Sequence, residues 1–168
     1  MECFGEILDM VRRQTPVVHS ITNYVTVNDC ANMILAAGGS PIMADDAAEV
    51  EQIVALSSAL VLNIGTLNAR TVESMLAAGK RANALNIPVV LDPVGAGASD
   101  LRNETLRKLL QEVRFAVIRA TALKSAFSRA KRPRRAAWTR IRTLWFRKTT
   151  LPLPPAWPQI SAPPPALL

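Results

Sequence analysis

The sequence is poor in the residues that most often carry recognisable chemistry. In 168 residues there are two cysteines, Cys3 and Cys30, one histidine, His19, and one tyrosine, Tyr24. Two cysteines make no disulfide framework, and neither has metal-ligand spacing. Each reads as a small buried side chain. No apolar run approaches the roughly 20 residues that cross a bilayer, and no signal peptide is legible, so the expected compartment is the cytoplasm and no membrane partner is expected.

Two further absences divide the chain. After Arg119 there is no acidic residue and no glycine. Residues 1–119 hold ten Lys/Arg and all thirteen acids, a net −3, whereas residues 120–168 hold ten Lys/Arg and no acid, a net +10. The overall charge of +7 would suggest nucleic acid or an acidic membrane surface, but it belongs entirely to the second segment. All three tryptophans and eight of twelve prolines also lie there. A boundary is therefore expected near Arg119, after a first segment long enough and apolar enough for a core.

Within residues 1–119, short β-branched runs alternate with amphipathic stretches. Glu2 to Arg13 has apolar residues at helical spacing, ends at Thr15-Pro16, and is expected to lie on a sheet. Val17 to Ile21 reads as a strand, Thr22-Asn23 as the turn capping a helix over 25–37, and Gly38-Gly39 as its stop. That helix is expected to bury Val27, Ala31, Ile34 and Leu35. Ser40 to Met43 is a second strand, and Asp45-Asp46 the expected cap of a third helix. Ala59 to Ile64, the most continuous apolar run, reads as a central strand buried on both faces. Asn68 or Thr71 starts a long helix, Asp100 caps another, and Phe115 to Ile118 is the last strand. This rhythm implies an α/β fold with a parallel sheet, because parallel neighbours need crossovers. The strand exits at 19–23, 43–46, 63–66, 92–99 and 119 would then share one edge, where open α/β sheets bind ligands.

The stretch from Ile87 to Ser99 stands out among these exits, since a strand runs into a glycine-rich turn with Asp92 at its end. Asp92 is either a chemical group facing a crevice or a capping aspartate before an ordinary loop, Asp-Pro being a common turn starter. His19 reads as structural, because no partner for acid–base work is evident. Taken alone, Met43 reads as core and Arg119 as a surface arginine at a strand end.

Five ordered motifs carry a resemblance: residues 16–25 (PVVHSITNYV), 39–43 (GSPIM), 62–67 (LNIGTL), 91–96 (LDPVGA) and 116–119 (AVIR). Together they resemble the amino-terminal half of the hydroxyethylthiazole kinase family, within the ribokinase-like group. The resemblance implies a ribokinase-like three-layer sandwich over residues 1–119 with its carboxyl-terminal half missing. It implies ATP- and Mg2+-dependent phosphorylation of the hydroxyl of 4-methyl-5-(2-hydroxyethyl)thiazole, a salvage step towards thiamine, in a homotrimer with thiazole sites between subunits. By the same resemblance Met43 contacts the thiazole, with Asn23, Gly65 and Thr66 close by; Asp92 helps to hold magnesium; and Arg119 contacts the nucleotide. A soft thioether suits a sulfur-containing ring, a carboxylate suits a hard cation, and a guanidinium suits phosphate. No catalytic residue is carried over, because the family places it and the glycine-rich anion hole in the other half.

After Arg119 the family text would continue Gly-Asn-x-Ser-Glu-Ile, whereas this chain reads Ala120-Thr121-Ala122-Leu123-Lys124-Ser125. Shifting back-translated codons one base earlier permits Gly, Asn, Ser or Gly, Ser, Glu and Ile. The same shift over Ala137-Trp138-Thr139 permits Gly and Val and forces Asp. The favoured reading of residues 120–168 is therefore a frame-shifted, disordered, proline-rich tail, with a short helix over 122–129, on a kinase half that has little or no activity of its own. Two alternatives stand beside it. One is a nucleic-acid arm built on Lys131-Arg132-Pro133-Arg134-Arg135; the other is a non-catalytic partner of an intact kinase trimer.

Overall fold

The structure, a computed structural model, describes residues 3–119. Residues 120–168, with the expected tail and its short helix, lie outside the described residues. The elements alternate as α1 (Cys3–Gln14), β1 (Val17–Ile21), α2 (Val27–Ala37), β2 (Ser40–Ile42), α3 (Val50–Ala55), β3 (Ala59–Asn63), α4 (Ala69–Ala84), β4 (Val89–Asp92), α5 (Asp100–Glu112) and β5 (Val117–Ile118). The five strands form one parallel sheet in the order β2-β1-β3-β4-β5. All five strand exits consequently share one edge, as the alternation predicts.

Right-handed crossovers place α2 on one face of this sheet and α3, α4 and α5 on the other. The core fills the second interface. Leu60 and Leu62 of β3 and Val89 and Leu91 of β4 meet Val50 and Val54 of α3, Met75, Ala78 and Ala82 of α4, and Leu106 and Leu109 of α5, all buried. Transfer of the valine, leucine and methionine side chains among these from water contributes about 1.5–3 kcal/mol each. Gly79 allows α4 to approach the chain after α5: a Cβ there would stand 2.7 Å from Val113 Cγ2.

The opposite face is thinner than expected. Residue β3 Val61 and β4 Val90 are only half-buried, so β3 is central but not covered on both faces. Helix α1 packs on α2 rather than on the sheet, with Phe4, Ile7 and Met10 exposed. No residue of α2 is fully buried, and Leu35, expected inside, is 57% exposed. The reason is geometric: α2 returns the chain from β1 to the edge strand β2, packs over that edge, and leaves β3 and β4 uncovered.

Three caps also differ from expectation. Helix α3 starts at Val50 after Glu49, because Asp46 instead closes a local turn by accepting from Ala48 N at 2.9 Å. Ser99, not Asp100, caps α5, its Oγ accepting from Arg102 N. Asn23 does not cap α2, which starts after Thr26; Asn23 Oδ1 accepts from Thr26 N at 3.1 Å, one turn earlier. At α4 both candidates act together, since the Asn68 and Thr71 side chains each bond the other's backbone in a reciprocal capping box.

Candidate active site at the carboxyl edge of the sheet

The polar residues of the site follow apolar runs, so each sits where a strand leaves the core. Asn63 ends β3 and Asp92 ends β4, and the two are register partners. Asn63 Nδ2 donates to Asp92 Oδ2 at 3.2 Å, while Asn63 Oδ1 accepts from Gly65 N at 2.8 Å. The Arg119 guanidinium, just past β5, donates to the same Asp92 oxygen at 2.8 Å. The Asp92 side chain is 10% exposed and that of Arg119 76% exposed, so a nearly buried carboxylate is reached by a cation from the solvent side. Asp92 thus ends β4 with its carboxylate held by the Asn63 and Arg119 side chains.

Beside this pair the β3 exit is tightly packed against the β1 exit. A Cβ on Gly65 would lie 2.9 Å from Asn23 Cβ and 2.9 Å from Asn63 Oδ1, so glycine is what lets the two turns touch. Thr66 Oγ1 accepts from Tyr24 N at 3.1 Å. The Tyr24 hydroxyl donates to Asp45, and Arg70, from the first turn of α4, pairs with both Asp45 (3.6 Å) and Asp46 (3.3 Å). The hydrogen bond to Asp45 raises the Tyr24 hydroxyl pKa, and the Asp45 charge raises that of Arg70. These contacts link the loops after β1, β2 and β3.

Met43, half-buried, follows β2 on the outer strand. His19 is fully buried on β1, its Nε2 2.7 Å from the Ala44 carbonyl, next to Met43. Burial lowers the His19 pKa, more than the Ala44 carbonyl and Glu49 raise it, so the imidazole is neutral and donates through Nε2. Its Nδ1 has no hydrogen-bond partner. Such a ring holds the β2 exit loop and suits the structural role expected of it.

Sequence reasoning placed Asn23, Met43, Gly65, Thr66, Asp92 and Arg119 on one edge, and the structure brings Asp92 to Arg119, and Asn23 to Gly65, in direct contact. Asn63 lay in the expected β3 exit but was given no role there, although a polar residue closing an apolar strand was the signal for one. Sequence reasoning missed Arg102, whose guanidinium donates to the Gly65 carbonyl at 2.7 Å and the Val94 carbonyl at 3.3 Å. Among the described residues no group of three or more His, Cys, Asp or Glu could hold a metal ion by itself. No helix among them is long and apolar enough to cross a membrane.

Comparison with known proteins agrees with this geometry. The model of the "Hydroxyethylthiazole kinase family" matches residues 8–126. A hydroxyethylthiazole kinase of Desulfovibrio desulfuricans is 73% identical over 131 residues, covering 78% of this chain and 46% of the relative. One of Clostridium beijerinckii is 65% identical over 115 residues, covering 68% and 42%. The solved structure of a hydroxyethylthiazole kinase protein from Pyrococcus horikoshii OT3 superposes with a TM-score of 0.73 at 40% identity, covering 76% of this chain and 50% of that one. The chain spans less than half the length of these two curated relatives.

Proposed function

Since the chain belongs to the hydroxyethylthiazole kinase family, we propose that its carboxyl edge is the acceptor-side half of an ATP-dependent kinase for 4-methyl-5-(2-hydroxyethyl)thiazole, acting in thiamine salvage in the cytoplasm. The observation that carries this reading is Asp92, a nearly buried carboxylate bridged by Asn63 and Arg119 at the crevice, one strand from a glycine turn. Met43 follows and Asp92 ends strands three positions apart in the sheet, roughly 14 Å at 4.8 Å per strand. That span takes a thiazole over β1 and β3 with its hydroxyl directed towards Asp92. Met43 supplies a polarizable sulfur, Asn23 an amide already oriented by Thr26, and Gly65-Thr66 a close backbone wall.

A site with fewer than three candidate ligand side chains among the described residues fits Mg2+ that arrives with nucleotide, because this ion keeps waters and takes one or two carboxylates plus phosphate oxygens. Asp92 is the residue that would hold it, and the bound ion would supply charge neutralisation at the phosphate oxygens. Arg119 is positioned to exchange its bond with Asp92 for one with phosphate, a planar donor matched to such oxygens. These residues bind and orient; the phosphate-binding turn and catalytic residue implied by the family have no counterpart in residues 1–119. This chain alone therefore turns over slowly or not at all, and the family match, which ends at residue 126, gives out soon after the Arg119 junction that we read as a frame shift. The homotrimer that the family resemblance implies is not required by this proposal.

Calorimetric titration of the full chain tests the reading. Thiazole alcohol binds with a Kd of roughly 1 μM to 1 mM, the usual substrate range, and Met43→Ala weakens it. ATP binding depends on Mg2+ and loses that dependence in Asp92→Asn. Absence of thiazole binding by the wild-type chain overturns the proposal. Genomic sequence through the Arg119 codon decides the frame shift.

A further inference from the structure

Arg102 has no place in the motifs, yet its guanidinium joins two of the strand exits. It lies in the first turn of α5, half-buried, and sends one guanidinium nitrogen to each of two turns. Nη2 donates to the Gly65 carbonyl at 2.7 Å, 37 residues away on the β3 exit. Nη1 donates to the Val94 carbonyl at 3.3 Å on the β4 exit.

Space for this group is made by Gly95, which has a φ of +69°. A Cβ there would lie 2.0 Å from Arg102 Nη1. The next residue, Asn103, is buried and accepts from Gly97 N at 2.9 Å. Ser99 Oγ accepts from Arg102 N. The first turn of α5 therefore folds back over its own entry loop and fixes it at Val94, Gly97 and Ser99, while Arg102 alone reaches across to the neighbouring strand's turn.

We infer that Arg102 is a positioning residue that sets the separation between the Gly65-Thr66 turn and the Asp92–Gly97 turn. This rests on the proposed function, in which the first turn lines the acceptor alcohol and the second begins at the metal-side carboxylate. Transfer between bound groups requires reacting atoms within about 3–3.5 Å, and small misplacements are costly. Two carbonyls on adjacent strands share one rigid planar cation, so neither turn moves without the other. Lysine, a single flexible ammonium, cannot reproduce that two-point grip.

The test compares wild-type, Arg102→Ala and Arg102→Lys full-length chains by calorimetric binding of 4-methyl-5-(2-hydroxyethyl)thiazole and by amide hydrogen exchange. Losing two charge-assisted bonds to backbone carbonyls should weaken thiazole binding by about tenfold or more in Arg102→Ala and by less in Arg102→Lys. Exchange should quicken at Gly65 and Gly97 while the β1 and β3 strand amides keep their protection, which a general loss of stability would not produce. Methylguanidinium added to Arg102→Ala should recover part of the affinity. Should Arg102→Ala fail to fold, Gly95→Ala, which forces the guanidinium aside, provides the same two readouts. Wild-type affinity together with unchanged Gly65 exchange in the variant overturns the inference. A wild-type chain that binds no thiazole alcohol overturns the proposed function instead, and the exchange pattern at Gly65 and Gly97 then still decides the role of Arg102.

Discussion

The Asn63 side chain is bound at both ends: its amide nitrogen donates to Asp92 Oδ2 and its amide oxygen accepts from Gly65 N. The amide is consequently fixed in one orientation, and it couples the carboxylate to the turn beside it. An aspartate at this position keeps the acceptor but replaces the donor with a second negative charge against Asp92.

Asn63→Asp should therefore destabilise the protein by about 1–3 kcal/mol near neutral pH, the range for a buried polar group losing its partner. Two facing carboxylates favour protonation of one of them. The deficit should accordingly shrink as pH falls towards the carboxylate range. Urea unfolding of both proteins from pH 7 to pH 4.5 measures it, and a deficit independent of pH would contradict the assigned contact.

Gly65→Ala places a methyl 2.9 Å from Asn23 Cβ and Asn63 Oδ1. Neither neighbour is the free end of a flexible chain, so overpacking should cost about 1–3 kcal/mol. Thiazole binding should weaken with it, because the β1 and β3 exits are pushed apart. Chemical denaturation and calorimetry on the same preparation read both effects.

Gly79→Ala sets two effects against each other. Helix propensity favours alanine by up to about 1 kcal/mol, but its Cβ would stand 2.7 Å from Val113 Cγ2 in the buried α4 contact. Overpacking of about 1–3 kcal/mol wins, and the single variant is less stable. In Val113→Ala the obstruction is gone, so adding Gly79→Ala there should be neutral or stabilising. A double-mutant cycle of unfolding free energies shows the change of sign.

His19 gives a pH dependence of definite direction. Burial depresses its pKa in the folded protein below the ordinary 6.5. The unfolded chain therefore takes up the proton first as pH falls. The neutral ring's contribution is complete above pH 6.5, erodes below it, and stops eroding only once pH has passed the folded pKa. His19→Gln, which keeps a donor for the Ala44 carbonyl, should remove this slope; melting temperatures between pH 7.5 and 5 measure it.

Strand positions were legible because parallel strands read as short β-branched runs, and the five exits followed from their alternation. Helix surroundings were less legible. The spacing of Val27, Ala31, Ile34 and Leu35 marks one face of α2 but does not say how far that face is covered, which depends on where the crossover lands. The charged residues of the site divided in the same way. Asp92 and Arg119 lie in motifs at strand ends, whereas Arg102 and Arg70 act through partners distant in sequence, a carbonyl after β3 and carboxylates after β2. Bonds to backbone carbonyls leave no mark in residue type at the accepting position, so Arg102 had no sequence signal.

The strand order carries a kinetic consequence. Because β1 sits between β2 and β3, and Val18 pairs with Ala59, the middle of the sheet closes only after about forty intervening residues have been made. On the ribosome, β1 and β2 can meet early as a small local unit. The remaining strands then join in the order of synthesis, each extending the same side, so the growing margin of the sheet is always the segment most recently translated.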